Sequence, residues 1–286
     1  MDHVEHIDEF ESIFRRAERA PFMFAEVSIG SVMLVIDGDP AEAALLRDAM
    51  IGFLPDLPPP QAWDLVTNGD YANVADLLQK IEVQQTDLVV TRRHLHESSL
   101  VPLHSLGVYL DELTQRTSMP VLVLPGTAAA PVPLPSEACQ RVMVVTDNIS
   151  GDSRLINHGV AICPADGTMW LCHIEDDAVF ARYADAIGQI PEIETEQAVE
   201  LLGTQLLKES TDFIDTCIAV LTEHGVGVTL DRHVDRGHHL REYRALVDEH
   251  DIGLLVANTK DEGQLAMHGM AYALSVELVD VPLLLL

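Results

Sequence analysis

Two short stretches concentrate the side chains that could bind or move charge. Arg232-His233-Val234-Asp235-Arg236-Gly237-His238-His239-Leu240-Arg241-Glu242-Tyr243-Arg244 holds four arginines and three histidines, and Arg92-Arg93-His94-Leu95-His96 repeats the theme earlier in the chain. Basic groups at this density suit a small anion or an acidic partner. They equally suit a solvated helix face whose arginines pair with surface carboxylates. Metal chemistry fits less well: His94 and His96 are two apart and His238 and His239 are adjacent, and neither is the i, i+4 spacing that puts two imidazoles on one helical face. The cysteines Cys139, Cys163, Cys172 and Cys217 form no C-x-x-C pair and read as reduced core thiols. No Ser, His and acid set, and no Cys and His pair, stands in a motif that would mark a nucleophile. Catalysis has no support in the residues.

These basic stretches are exceptions in an acidic chain. Seventeen Lys+Arg stand against 46 Asp+Glu, a net charge of −29, so the average field repels a phosphate backbone or an anionic membrane. Nucleic-acid binding is excluded on that ground. The lysines are Lys80, Lys208 and Lys260 alone, and a surface rich in acids and poor in lysine stays hydrated in concentrated salt; a salt-adapted source is one reading of it. The N-terminus, Met-Asp-His-Val-Glu-His, is acidic where a signal peptide is basic, and no apolar run approaches the roughly 18 residues of a membrane span. A cytoplasmic location without membrane insertion is expected. At 286 residues and 48% hydrophobic, the chain is long and apolar enough for two ordinary cores.

The elements that must position these groups emerge from an internal repeat. Val32-Met33-Leu34-Val35-Ile36-Asp37 matches Val142-Met143-Val144-Val145-Thr146-Asp147, each an apolar run ending in an aspartate, as a buried parallel strand feeding a loop would be. Thr86-Asp87-Leu88-Val89-Val90 matches Ile252-Gly253-Leu254-Leu255-Val256, and Met119-Pro120-Val121-Leu122-Val123-Leu124 matches Val281-Pro282-Leu283-Leu284-Leu285-Leu286. Between them the spacing of Ala44, Leu45, Ala49 and Phe53, then of Val74, Leu77, Leu78 and Ile81, predicts helices. Strands alternating with helices mean βα units and a parallel sheet. The Pro-rich run 126–138 reads as a linker between a first domain, 31–125, and a second, 139–286. The first matched strands lie 110 positions apart and the second pair 166, so the second copy is longer by about one strand and one long helix. Its surplus includes a strand-like Thr168–Ile174 and a helix-like stretch from about Ala198 to His224. The first half lacks such a unit. In the preceding extension, 1–30, Ile7, Phe10, Phe14 and Ala17 form a helical stripe, and Phe22–Ile29 reads as a compensating strand.

Taken in order, these motifs resemble the universal stress protein family in its tandem, two-domain form. The resemblance rests on the Asp37 and Asp147 loops, the His173 turn, the glycine turns at Asn68-Gly69-Asp70 and Asp235-Arg236-Gly237, the Asp87-Leu88-Val89-Val90 type of strand and the closing strands. It implies two doubly wound α/β domains, adenine nucleotide alpha hydrolase-like, with any ligand at the carboxyl ends of the strands. It also implies that the two closing strands pair across a pseudo-twofold axis, making the chain an intramolecular pseudo-dimer that is free to associate further.

Nucleotide-binding members of the family carry G-x-x-G after the fourth strand and a G-[ST] nine residues on, because glycine lets backbone N–H groups reach phosphate. Arg92 and Leu95 replace the first pair here, and Gly107 precedes Val108. In the second half Asn258 and Asp261 stand at the glycine positions, and Met270 follows Gly269. Both loops are degenerate, so no cofactor is expected, with ATP or AMP as the alternative. The nucleoside-facing positions by this resemblance are Asp37, Asp147 and Thr146, with Asn258 and Gly269 beside them. In the same frame Arg236, His238 and His239 fall near a helix N-terminus, and Arg92 and Arg93 within the degenerate loop, as candidates for an anion or a protein partner. The resulting expectation is a non-catalytic regulatory or protein-interaction module. A nucleotide sensor or weak ATPase is the first alternative, and an accessory subunit docking on a membrane transporter or another complex is the second.

Overall fold

A computed structural model describes residues 21–97, 105–146, 153–191, 193–259 and 269–286. The first half runs β1 (Val32–Val35), α1 (Pro40–Phe53), β2 (Trp63–Val66), α2 (Val74–Gln84), β3 (Leu88–Arg93), α3 (Val108–Arg116) and β4 (Val121–Thr127). The second runs β5 (Arg141–Val145), α4 (Ser153–Ile162), β6 (Thr168–Asp176), α5 (Asp177–Gly188), α6 (Thr195–Glu223), β7 (Thr229–Gly237), α7 (His239–Glu249), β8 (Leu254–Ala257), α8 (Gly269–Glu277) and β9 (Leu283–Leu285). Among the described residues the strands form one nine-stranded sheet, ordered β2-β1-β3-β4-β9-β8-β5-β6-β7.

Within each half every pairing is parallel, and the halves meet through β4 and β9, antiparallel, with Val121 opposite Leu285, Leu122 opposite Leu284 and Val123 opposite Leu283. This is the expected pseudo-dimer seam. Each of these side chains is at least 98% buried, and burying a leucine or valine contributes about 2 kcal/mol, so the seam welds two domains into a single core layer. Alternate residues of each strand feed opposite faces: Val32 and Leu34 face the side covered by α1, α4 and α6, whereas Met33 and Val35 face α2, α3, α7 and α8.

Among the described residues the first half is one strand shorter than the second. β2 occupies beside β1 the place that β6 holds beside β5, and nothing among the described residues corresponds to β7. Residues 22–29 do not fill the gap. They carry no strand pairing and run across to the second half: Met23 N–H donates to Ser153 Oγ (3.0 Å), Asn157 Nδ2 donates to the Met23 carbonyl (3.1 Å), and the Phe24 ring lies 5.1 Å from the His224 ring. The stripe at Ile7 to Ala17 lies outside the described residues.

Two further expectations need correction. α1 buries Ala43, Met50 and Phe53, while Leu45 is 72% exposed, so the core stripe is rotated from the Ala44 and Leu45 face. β4 also continues through Pro125 and Gly126 to Thr127. Pro125 is tolerated because β9 is short and pairs only with Val121–Val123, leaving no ladder hydrogen bond for the missing N–H to break.

Candidate functional site

The carboxyl ends of the parallel strands place the expected loops of the two halves at opposite edges of the sheet, because β4 and β9 run antiparallel. In the first half that edge is occupied by the chain's own carboxylates. Asp37, just past β1, accepts the His96 backbone N–H on Oδ2, and its Oδ1 lies 3.7 Å from His96 Nε2. Tyr71, Tyr109 and the His96 ring close over the same spot with ring centroids 5.0, 5.0 and 5.8 Å apart. The Tyr71 hydroxyl is buried, and burial first, then the Asp37 charge, raises that phenol well above its usual pKa.

Beyond β3 the chain turns back through His94 and His96 at φ +61° and +58°. This left-handed conformation favours glycine, and non-glycine residues held in it carry local strain. Glu97 then completes the closure. Its Oε1 accepts the Val108 N–H at the first residue of α3 (2.7 Å), while Oε2 lies 2.7 Å from His94 Nδ1. A helix N-terminus favours a negative charge, and here a side chain supplies it. Burial first, then the Glu97 charge, pushes the Asp111 carboxyl in the same helical turn above its ordinary pKa, so a second anion would meet like charge. Gly107 is required by geometry: its φ is +83°, and a Cβ there would lie 2.8 Å from His94 Cα.

The second half is built differently. Thr146 donates its N–H and hydroxyl to the Cys172 carbonyl at 2.8 and 2.9 Å, and its own carbonyl lies 2.6 Å from His173 Nδ1. A carbonyl only accepts, so His173 Nδ1 carries the proton and Nε2 faces Glu175 at 3.6 Å. Thr259 donates both N–H and hydroxyl to the Leu286 carbonyl, tying the end of β8 to the last residue. Asn258 lies at the end of β8, and Gly269 opens α8 with nothing within 4 Å of a would-be Cβ. Asp147 lies outside the described residues.

The basic candidates are engaged internally. Arg92 and Arg93 are 8% and 1% exposed, and their guanidinium groups bond backbone carbonyls rather than facing an open loop. Arg92 reaches the Pro125 carbonyl. Arg93 reaches Leu124 (3.2 Å) in its own half and Ser275 (2.8 Å) and Leu278 (3.2 Å) in the other. The expected anion or partner role of this pair is corrected to a structural one, because every carbonyl so reached is a buried acceptor needing a donor. Burial pushes both guanidinium pKa values down to about 10. Arg232, Arg236, Arg241 and Arg244 each pair with a carboxylate, respectively of Asp215, Asp177, Glu242 and Asp280. Arg236 also lies 4.3 Å over the Phe180 ring, and His239 Nε2 is 2.7 Å from the Ile174 carbonyl. His238 precedes α7 and lines a cleft of about 420 Å³ with Arg241, Arg244 and Glu277. The solvated-face reading of this segment describes the geometry.

Sequence reasoning missed Glu97, Tyr71 and Tyr109. Gly107 before a helix was the available signal for an anion position, but nothing local marks a carboxylate ten residues upstream as its occupant. All four cysteines are buried thiols, and burial pushes Cys139 up to about 11 and Cys163, Cys172 and Cys217 up to about 12. Among the described residues no group of three His, Cys, Asp or Glu side chains is placed to hold a metal ion, and no helix is long and apolar enough to cross a membrane.

No family model matches the sequence, and no curated protein does. Solved structures do match. A functionally unknown protein from Pseudomonas aeruginosa PAO1 superimposes with a TM-score of 0.52 at 13% identity, over 90% of this chain and 92% of that one. A protein described as a universal stress protein, from Pseudomonas aeruginosa UCBPP-PA14, gives 0.51 at 13% identity, over 90% and 93%. At such identities the likeness establishes the fold: an α/β architecture shared along nearly the whole length of both chains.

Proposed function

We propose that this chain is a universal stress protein-like regulatory module that works by binding another protein, without catalysis and without a bound cofactor. The observation that carries this reading is the Glu97 carboxylate on the Val108 N–H, where the family resemblance would put nucleotide phosphate. With Asp37 held by His96, the first half closes both the phosphate and the nucleoside position with its own side chains. Strand, turn and helix remain, but ligand capacity has been exchanged for internal bonds.

A second reading has one specific observation in its favour. Among the described residues nothing lies within 4 Å of a would-be Cβ at Gly269, which begins a helix, whereas a Cβ at Gly107 would meet His94 and Glu97. A nucleotide-sensing role, as a sensor or weak ATPase, would act in that half through Asp147 and Thr146, with Asn258 and Gly269 beside them. Docking as an accessory subunit of a transporter or another complex is the form of the first reading in which the partner is fixed in a membrane.

Isothermal titration of the full chain with ATP, ADP and AMP, at low and high salt, separates these. No heat and no co-purified nucleotide is the expected result. Binding tighter than about 10 μM, roughly 7 kcal/mol, would replace the module reading with a nucleotide-responsive switch.

A further inference from the structure

The strand and helix that the second half alone possesses help to form a cleft. α4 ends at Ile162 and leads into β6, and α6 ends at Glu223 and leads into β7, so both connecting turns lie at the amino ends of those strands. That is the opposite end from the Thr146 and Asn258 loops. The turns meet closely: a Cβ at Gly227 would sit 3.1 Å from the Ala165 carbonyl oxygen. Residues 24–27, crossing from the first half, supply a further wall, and the cleft so formed has a volume of about 420 Å³, within the range of small-molecule sites. Among the described residues β7 has no counterpart in the first half, so the cleft is not a duplicated feature.

Val27, Val160, Val226 and Val228 give the cleft an apolar lining, and the Phe24 ring stands tilted by 55° against that of His224. Its strong polar side chains are acceptors. Asn157 is 5% exposed; its Nδ2 is spent on the Met23 carbonyl (3.1 Å), and its buried Oδ1 has no hydrogen-bond partner. A buried acceptor of this kind calls for a donor. His224 Nδ1 lies 2.8 Å from the Val220 carbonyl. A carbonyl only accepts, so in the neutral ring the proton is on Nδ1 and Nε2 is left an acceptor. Glu26 and Asp56 add carboxylates, and among the described residues no lysine, arginine or hydroxyl side chain lines the cleft. This polarity is not the net charge of the chain restated: the Asn157 amide and the neutral His224 ring present acceptors because their N–H groups are bonded to backbone.

We propose that this cleft binds a small organic cation, a protonated amine carried on an apolar body. The donors that the lining lacks must come from the ligand, and an ammonium group supplies up to three, each strengthened by its charge. The apolar body lies on the valines, and the Phe24 ring offers a face that attracts a cation. A nucleotide or another anion fails the same matching of donors to acceptors. The cleft therefore stands apart from the nucleotide reading, and its ligand would be an effector of the module rather than its partner.

The test titrates the full chain with 2-phenylethylammonium in about 1 M NaCl, where the Debye length of about 3 Å suppresses diffuse attraction to an acidic surface. Calorimetry should show saturable binding with a Kd below about 1 mM, a strength within reach of a ligand of this size. Methylammonium, which has the charge without the body, and 2-phenylethanol, which has the body without the charge, should each bind at least about tenfold more weakly. Asn157→Leu removes the unpartnered acceptor at similar volume, and Ala161→Phe fills the cleft from α4; each should weaken the probe about tenfold, while Leu45→Ser on α1 should stay within about twofold. Circular dichroism checks that each variant is folded, and Ala161→Phe carries the localisation if the buried Asn157 does not tolerate replacement. Binding of methylammonium as tight as the probe would mean charge alone, and equal binding of 2-phenylethanol would mean apolar contact alone. Either result would overturn the proposal, as would the absence of saturable binding or binding indifferent to the folded cleft variants. None of these outcomes bears on the nucleotide titration, so the two readings stand or fall separately.

Discussion

The two halves share a strand order and a seam, yet their carboxyl edges have opposite characters. In the first half Asp37 accepts the His96 N–H and Glu97 accepts the Val108 N–H, so side chains of this half close the turn after β3 onto the start of α3. In the second, the end of β8 is tied to Leu286 through Thr259, and among the described residues nothing lies within 4 Å of a would-be Cβ at Gly269. The difference teaches where duplicated domains are free to diverge. Core strands are held by burial on both faces and cannot drift without cavities or strain, while loops at the strand ends bear no such constraint and take on separate roles.

The sharpest test of the weld between halves is Arg93. Its guanidinium serves carbonyls of both halves while 1% exposed. Arg93→Ala leaves those carbonyls without donors and opens a cavity, and should cost about 3–5 kcal/mol in urea unfolding. A cost under about 1 kcal/mol would show that β4 and β9 alone unite the halves.

The glycines that open α3 and α8 test the edges directly. Gly107→Ala forces a Cβ to within 2.8 Å of His94 Cα at a φ of +83°, and should cost about 2–3 kcal/mol. Gly269→Ala meets nothing within 4 Å and should be neutral or stabilising by about 0.5 kcal/mol. Equal effects in thermal melts would dissolve the contrast between locked and open edges.

Much of this was readable beforehand, and the reasons differ by element. Continuous apolar runs such as Val142–Val145 identify buried parallel strands because both faces are covered, and the repeat supplied their order. The seam was implied by the family resemblance, and it accounts for four terminal leucines that need a partner strand. What escaped was whatever depends on distant chain. Arg92 and Arg93 read as surface charge because composition alone cannot reveal a carbonyl 33 residues away from Arg92, or carbonyls 182 and 185 residues away from Arg93. Residues 22–29 have strand-like composition, but their partners lie on α4 and α6 of the other half. In α1, Leu45 and Met50 compete for the core side, and only the packed sheet decides between them.

The thiols give the second half a pH response that the cysteine-free first half lacks. Burial raises Cys172 from about 9 to about 12, so the folded state keeps its proton where the unfolded chain loses it. Stability from this group is intact below pH 9 and is lost as pH rises toward 12, by about 1.4 kcal/mol per pH unit above 9. Unfolding free energies of wild type and Cys172→Ala, measured from pH 8 to about 10.5, should converge by that slope; parallel curves would mean that the thiol is reached by water in the native state.

The smallest expected effect separates the halves at the entry to their closing strands. Pro120 and Pro282 align, so Ser118 and Asp280 are counterparts two residues before each. Ser118 offers its carbonyl to Arg154 of the second half (2.7 Å), whereas Asp280 holds Arg244 of its own half through two bonds of 2.6 and 2.8 Å. That bidentate pair holds the Asp280 carboxyl below its ordinary pKa, so its contribution is present above about pH 4 and fades as pH falls through the lowered value. The side chains are 40% and 47% exposed, so solvent and salt screen the attraction and Asp280→Asn should cost only about 0.5–1 kcal/mol at neutral pH. The cost should shrink in about 1 M salt, where the Debye length falls to about 3 Å. An undiminished cost would instead assign the effect to the geometry of the two hydrogen bonds, making this corner of the second half a fixed joint rather than a charge contact.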